Sequence, residues 1–234
     1  MYSNTQARDG PASVSTIPVA SGIAVAPLPG GIGRQSDSRG HDVTHFSELF
    51  AANTISILRT MSFSQTVENN KPLLPGVYFS WDTEEGKVDL SLESRTGELF
   101  EIWPKVTGNP RWFSLNLSLG DCTFEAGDVI GVIVEFEGAK GETFRFFTRS
   151  ARGEKMTDTQ FEDALKGSED ISVQTALHTL TGSDALVQGQ GFHTLILPLP
   201  LHDVALRLRD LRVIVIPASR GLRSGPVTLA GRGG

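Results

Sequence analysis

The chain has 234 residues and a mass of 25.2 kDa, with 21 basic and 27 acidic side chains and a net charge of −6, room for one domain of about 150–200 residues with some chain left over. Its single cysteine, Cys122, excludes an internal disulfide and a cysteine-built structural zinc, and no run of about 18 apolar residues offers a membrane-spanning helix. The mildly acidic balance speaks against general nucleic-acid binding.

Residues 1–45 are dominated by small and turn-forming types, among them Gly10-Pro11, Pro18 and Pro27-Leu-Pro-Gly-Gly-Ile-Gly33. They bury too little apolar surface to offset the entropy of ordering, so the segment is expected to be disordered. It has no basic n-region, and Gly22-Ile-Ala-Val-Ala26 is too short for the apolar part of a secretory signal. With one cysteine, the expected compartment is the cytoplasm, and export without a signal stays open. At the other end, 219–234 reads as a flexible Gly/Arg-rich tail. Residues 200–234 carry +4 and residues 48–199 carry −10, a solvated basic tail beside an acidic domain.

Between these ends, short alternating runs follow one another. Thr54-Ile-Ser-Ile-Leu58 is a first strand candidate. Gly76 to Asp82 puts Val77, Phe79 and Trp81 on one face, and Lys87 to Glu93 points Val88, Leu90 and Leu92 inward. Trp112 to Leu119 alternates in the opposite phase, with Phe113, Leu115, Leu117 and Leu119 apolar and Ser114, Asn116 and Ser118 polar. Further runs lie at 128–137, 143–148, 171–180, 192–197, 204–208 and 211–216. A period of two over so many segments predicts strands with one buried and one wet face. One helix is expected at about 157–166: Thr157 and Gln160 form a capping box, Gly167 suits the C-terminal turn, and Phe161 and Leu165 lie one turn apart. The unbroken apolar run Val213-Ile-Val-Ile216 suits a strand buried on both faces, covered by the N-terminal segment or by a second copy of the chain.

About ten strands and one short helix predict an all-β fold, a two-sheet β-sandwich of jelly-roll type over residues 46–218, with a closed barrel as the alternative. The stretch from about Asn53 to Pro217 resembles the jelly-roll carbohydrate-binding modules of bacteria. The likeness is carried by Phe79-Ser-Trp-Asp82, Phe113-Ser-Leu-Asn-Leu-Ser-Leu119, Phe124-Glu-Ala-Gly-Asp128 and the closing pair around Leu195-Ile-Leu-Pro-Leu-Pro200 and Leu206 to Val213. It is a likeness of pattern and element order, and it implies glycan binding on an open sheet face or on edge loops.

Sugar rings stack on flat indoles, so the three tryptophans come first among site candidates. Trp81 shares its face with Val77 and Phe79 and is expected in the core. Trp112 falls in phase with Ser114 and Asn116, and Trp103 with Glu101, so both are expected on wet faces. With Arg111, Asn116 and Lys105 they would form a platform with hydrogen-bonding neighbours, and Tyr78 is a weaker member. Carboxylates at strand spacing, Glu135 with Glu137 and Asp82 with Glu84, meet the separation that glycoside hydrolysis needs, but Asp89, Ser91 and Glu93 make no acidic ladder. Clusters at Asp121, Glu125 and Asp128, and at Asp82, Glu84 and Glu85, are candidates for a structural calcium ion; no other cofactor is expected. His41 and His45 lack a third ligand, His193 reads as a surface or rim histidine, and Cys122 as a buried thiol.

No phosphate loop, dinucleotide fingerprint or Gly-x-Ser-x-Gly elbow is present. The first expectation is therefore a non-catalytic domain that binds a polysaccharide or oligosaccharide, in the setting of polysaccharide synthesis or processing. The alternative is a structural or assembly β-sandwich with a protein partner or in a homo-oligomer. A glycosidase or lyase with a nonstandard acid–base pair is third.

Overall fold

The computed structural model describes residues 44–220; residues 1–43 and 221–234, which hold almost all of the expected arm and tail, lie outside the described residues. Among the described residues the chain forms one α-helix and twelve strands: α1 (Phe46–Thr60), β1 (Phe63–Val67), β2 (Pro72–Leu74), β3 (Val77–Trp81), β4 (Gly86–Ser94), β5 (Phe100–Gly108), β6 (Phe113–Cys122), β7 (Val129–Phe144), β8 (Phe147–Arg152), β9 (Lys155–Gln160), β10 (Leu165–Thr179), β11 (Gly191–Pro198) and β12 (Leu206–Ile216). They build two antiparallel six-stranded sheets, in the order β1-β4-β5-β12-β7-β10 and β2-β3-β6-β11-β8-β9. This is the two-sheet sandwich that the alternation predicts.

The core lies between the sheets and is filled by the inward phase of each strand. Val88, Leu90 and Leu92 of β4 face Phe113, Leu115, Leu117 and Leu119 of β6, with Val132, Val134 and Phe136 of β7 and Leu195 and Leu197 of β11. Trp81 is in the core as expected, edge-on to Phe113 at 6.2 Å.

Two local readings are corrected. Residues 157–166 are not helical: β9 runs through Gln160, residues 161–164 form a bent connection, and β10 begins at Leu165. Thr157 and Thr159 are β-branched and favour a strand, and β9 pairs with β8, where Arg149 grips Asp158 with two hydrogen bonds of 2.7 Å. Phe161 and Leu165 are both buried, as the helix reading required, but Phe161 sits in the connection and Leu165 opens β10. Conversely, Thr54 to Leu58 lies inside α1. Five residues show period two there, but the full window buries Ser47, Ala51, Thr54, Ile55 and Leu58, the spacing of one helical face.

The helix occupies a gap in the first sheet. β5 pairs with β12 only over Leu206–Leu208, and α1 runs beside the rest of that edge. The Glu48 carboxylate accepts a hydrogen bond from Val215 N at 3.0 Å, and Arg59 pairs with Asp210. His45, assigned to the arm by composition, caps the helix: its Nδ1 accepts from Ser47 N, and its ring stacks on Phe124 at 4.5 Å.

The strand buried on both faces is β6 rather than the one ending at Ile216. Its outward Ser114, Asn116 and Ser118 are as buried as its inward leucines, whereas Ile214 and Ile216 remain half-exposed outside buried Val213 and Val215.

Candidate functional site

The second sheet brings together four of the five predicted site residues. Antiparallel register sets Tyr78 of β3, Asn116 of β6, Ile196 of β11 and Phe147 of β8 in one cross-strand row on its outer face. Ser80, Ser114 and Pro198 form the next row toward one end, and Ser118, Thr194 and Arg149 the next toward the other. The small polar residues make the floor and are buried; Tyr78, Phe147 and Arg149 are half-buried. Side chains on alternate residues of neighbouring strands make such rows because they share a face.

The floor is a hydrogen-bonded lattice. Asn116 Nδ2 donates to Tyr78 O at 3.3 Å and to Ser114 Oγ at 3.2 Å, and Ser114 Oγ donates to Ser80 O at 3.4 Å. Burial raises the Tyr78 hydroxyl above its ordinary pKa of 10, and the Arg149 charge opposes that rise, so Tyr78 carries its proton at neutral pH. Arg149 lies 5.8 Å from the Phe147 ring and is neutralised by Asp158.

Trp112 stands at the end of this face, just before β6, and its carbonyl accepts from Asp82 N at 3.0 Å. The indole is half-buried, and its Nε1 is enclosed without a hydrogen-bond partner among the described residues. Buried donors are seldom left unpaired, so this one stands out. Arg111 covers one face of the ring, with Cζ 5.1 Å from the centroid. That guanidinium is held by carboxylates: Nε reaches Asp82 Oδ2 at 2.7 Å, and Nη2 reaches Asp82 Oδ1 at 3.1 Å and Glu84 Oε2 at 2.6 Å. Hydrogen bonds from Arg111 hold the buried Asp82 carboxyl well below the usual carboxylate range, and the same bonds raise Arg111. Asp82 is thereby anionic and Arg111 cationic, and with Glu84 and Glu85 also on Arg111 the corner keeps an excess of negative charge.

Trp103 lies elsewhere. It projects from β5 on the outer face of the first sheet, 40% exposed, in a row with Ser91 of β4 and Thr66 of β1. Lys105, also exposed, pairs across strands with Asp89. The two wet-face tryptophans therefore belong to different sheets and do not share a platform. Phase within one strand is readable from sequence, but the sheet to which that strand belongs is not.

The carboxylate pairs are engaged. Glu135 lies 3.7 Å from Arg209 and Glu137 3.0 Å from Arg207. Asp128 accepts from Glu125 N and Ala218 N, while Asp82, Glu84 and Glu85 converge on Arg111. Among the described residues no group of three or more His, Cys, Asp or Glu side chains converges as for a metal ion. Sequence does not single out Phe147 and Arg149, because adjacent Phe146 and Phe147 hide which of the two faces inward; in the structure Phe146 does. His193 is not at a rim but wholly buried.

No protein-family model matches the chain, and no curated protein matches it. Solved structures do. A family 4 carbohydrate-binding module matches at 10% identity and a TM-score of 0.44, covering 65% of this chain and 95% of its own. The xylan-binding domain of a Paenibacillus barcinonensis protein matches at 14% identity and 0.39, covering 66% and 94%. A cyclase from Fischerella sp. TAU matches at 11% identity and 0.39, covering 66% and 99%. Carbohydrate-binding modules, the group that the sequence pattern resembles, thus recur among structures similar to this chain.

Proposed function

We propose that the chain is a carbohydrate-binding domain that takes a neutral oligosaccharide on the outer face of the second sheet. The observation that carries this reading is the row of hydrogen-bonding floor residues bordered by the half-exposed rings of Tyr78, Phe147 and Trp112. Pyranose rings need both elements, an apolar plane for their C–H faces and donors and acceptors for their hydroxyls. A neutral or cationic ligand fits better than an anionic one, because Arg149 is paired with Asp158 and Arg111 is outnumbered by Asp82, Glu84 and Glu85. Binding rather than hydrolysis fits because Glu135 and Glu137 stand against arginines on the other sheet.

Calorimetric titration with a panel of neutral oligosaccharides tests the proposal. Trp112→Ala and Tyr78→Ala should each weaken binding about tenfold, which is about 1.4 kcal/mol, while Trp103→Ala leaves it unchanged. Unaltered affinity in both of the first two variants overturns the site.

A further inference from the structure

The outer face of the second sheet continues past the rings already placed on it. On β11, His193 turns inward and is wholly buried, so Phe192 before it turns outward, where it is 38% exposed. Register carries this phase across three strands. Phe192, Ala151 of β8 and Met156 of β9 form one row, Thr194, Arg149 and Asp158 the next, and Ile196, Phe147 and Gln160 the third. The third row is the one that holds Tyr78 and Asn116. Phe192 lies four residues from it along β11, and Trp112 lies four residues from it along β6 in the opposite direction. At about 3.3 Å per residue, Phe192, the Tyr78–Phe147 row and Trp112 follow one another at intervals of about 13 Å and span about 27 Å.

Phe192 has neighbours of the kind that a sugar needs. Its cross-strand partner Asp121 is exposed, and side chains directly opposite on antiparallel strands start about 4.5–5.5 Å apart. An apolar ring thus stands beside a carboxylate that accepts from hydroxyls, as Trp112 stands by the carboxylates gathered on Arg111 at the other end. Met156, 40% exposed in the same row, widens the apolar plane.

These positions choose an axis. A sugar chain laid across the strands from Tyr78 to Phe147 covers three strand spacings, about 14 Å, and leaves Trp112 and Phe192 untouched about 13 Å to either side. A chain laid along β6 and β11 meets every ring in turn, and a single pyranose reaches one of them at a time. Resting on the carbohydrate reading of this face, we propose that its ligand is a long-chain polysaccharide lying along β6 and β11, and that Phe192 is the stacking residue of an outer subsite.

Calorimetric titration of the full chain with size series of neutral gluco-, xylo- and manno-oligosaccharides, from disaccharide to octasaccharide, tests this. Within the series that binds, wild-type affinity should keep rising toward the longest members. Phe192→Ala should weaken binding of the octasaccharide about three- to tenfold, the worth of one stacked ring, and affinity should level off at a shorter chain. Phe192→Tyr keeps a ring at this position and should restore both. Phe192 is exposed, and an unchanged circular dichroism spectrum and melting temperature will show that Phe192→Ala keeps the fold. If Tyr78→Ala weakens binding but the dependence on chain length is the same with and without the Phe192 ring, the outer subsite is overturned and the ligand lies across the strands. No binding in any series, or affinity unaltered in both Tyr78→Ala and Trp112→Ala, overturns the carbohydrate reading itself and this subsite with it.

Discussion

His193 shows how one residue's surroundings set a property of the whole molecule. Its ring is fully buried, its Nδ1 lies 2.8 Å from Ser150 Oγ, and its Nε2 lies 3.1 Å from Cys122 O. With the hydroxyl donating to Nδ1 and Nε2–H donating to the carbonyl, the neutral ring satisfies both of its nitrogens. Burial disfavours the charged ring and pushes the pKa down to about 4 from 6.5. The unfolded chain therefore binds a proton between these values that the folded chain refuses, and stability is lost as pH falls through that window. The full span amounts to about 3 kcal/mol. Urea titrations at pH 7, 5.5 and 4 should show the loss, and His193→Gln should flatten it; an equal slope in the variant would refute the assignment. Burial likewise drives the neighbouring Cys122 thiol up to about 12, so it stays protonated and should resist alkylation in the native protein until denaturant is added.

Among the elements, α1 depends most on what surrounds it. It buries one face against β6 and β12, and Glu48 and Arg59 tie it to β12. Leu58, at 1% exposure, is buried more deeply than Ile55, the other large aliphatic side chain that the helix sends into the core, and Leu58→Ala should cost about 2–5 kcal/mol in a denaturation experiment. The β7 strand has a comparable weak point at Gly138, where φ is +105° and an added Cβ would stand 2.4 Å from Ala205 O. Gly138→Ala should destabilise by about 1–3 kcal/mol, because both the backbone conformation and the space exclude a side chain. The sequence is ambiguous where α1 and β9 lie. Thr54 to Leu58 alternates like a strand, and Thr157 to Gln160 carries the signature of a helix cap. The helix-cap signal lost to hairpin pairing with the adjacent β8, and the strand signal lost to packing of α1 against β6 and β12, which lie far along the chain.

For the whole molecule, the two sheets turn unlike faces to the solvent. The second sheet has a polar floor with rings around it, and the first is polar over one half and apolar over the other.

Alternation along the chain determined that this is a β-sandwich, that Trp81 lies inside it, and that Trp103 and Trp112 point away from the core. The reason is that side-chain phase in a strand is a local property with a period of two. The tertiary structure decided which strands lie side by side. It put Trp103 and Trp112 on separate sheets, set Phe147 and Arg149 beside Tyr78 and Asn116, buried His193, and left the outer face of β12 open. Those outcomes rest on pairing between residues far apart in the chain, which no local period encodes.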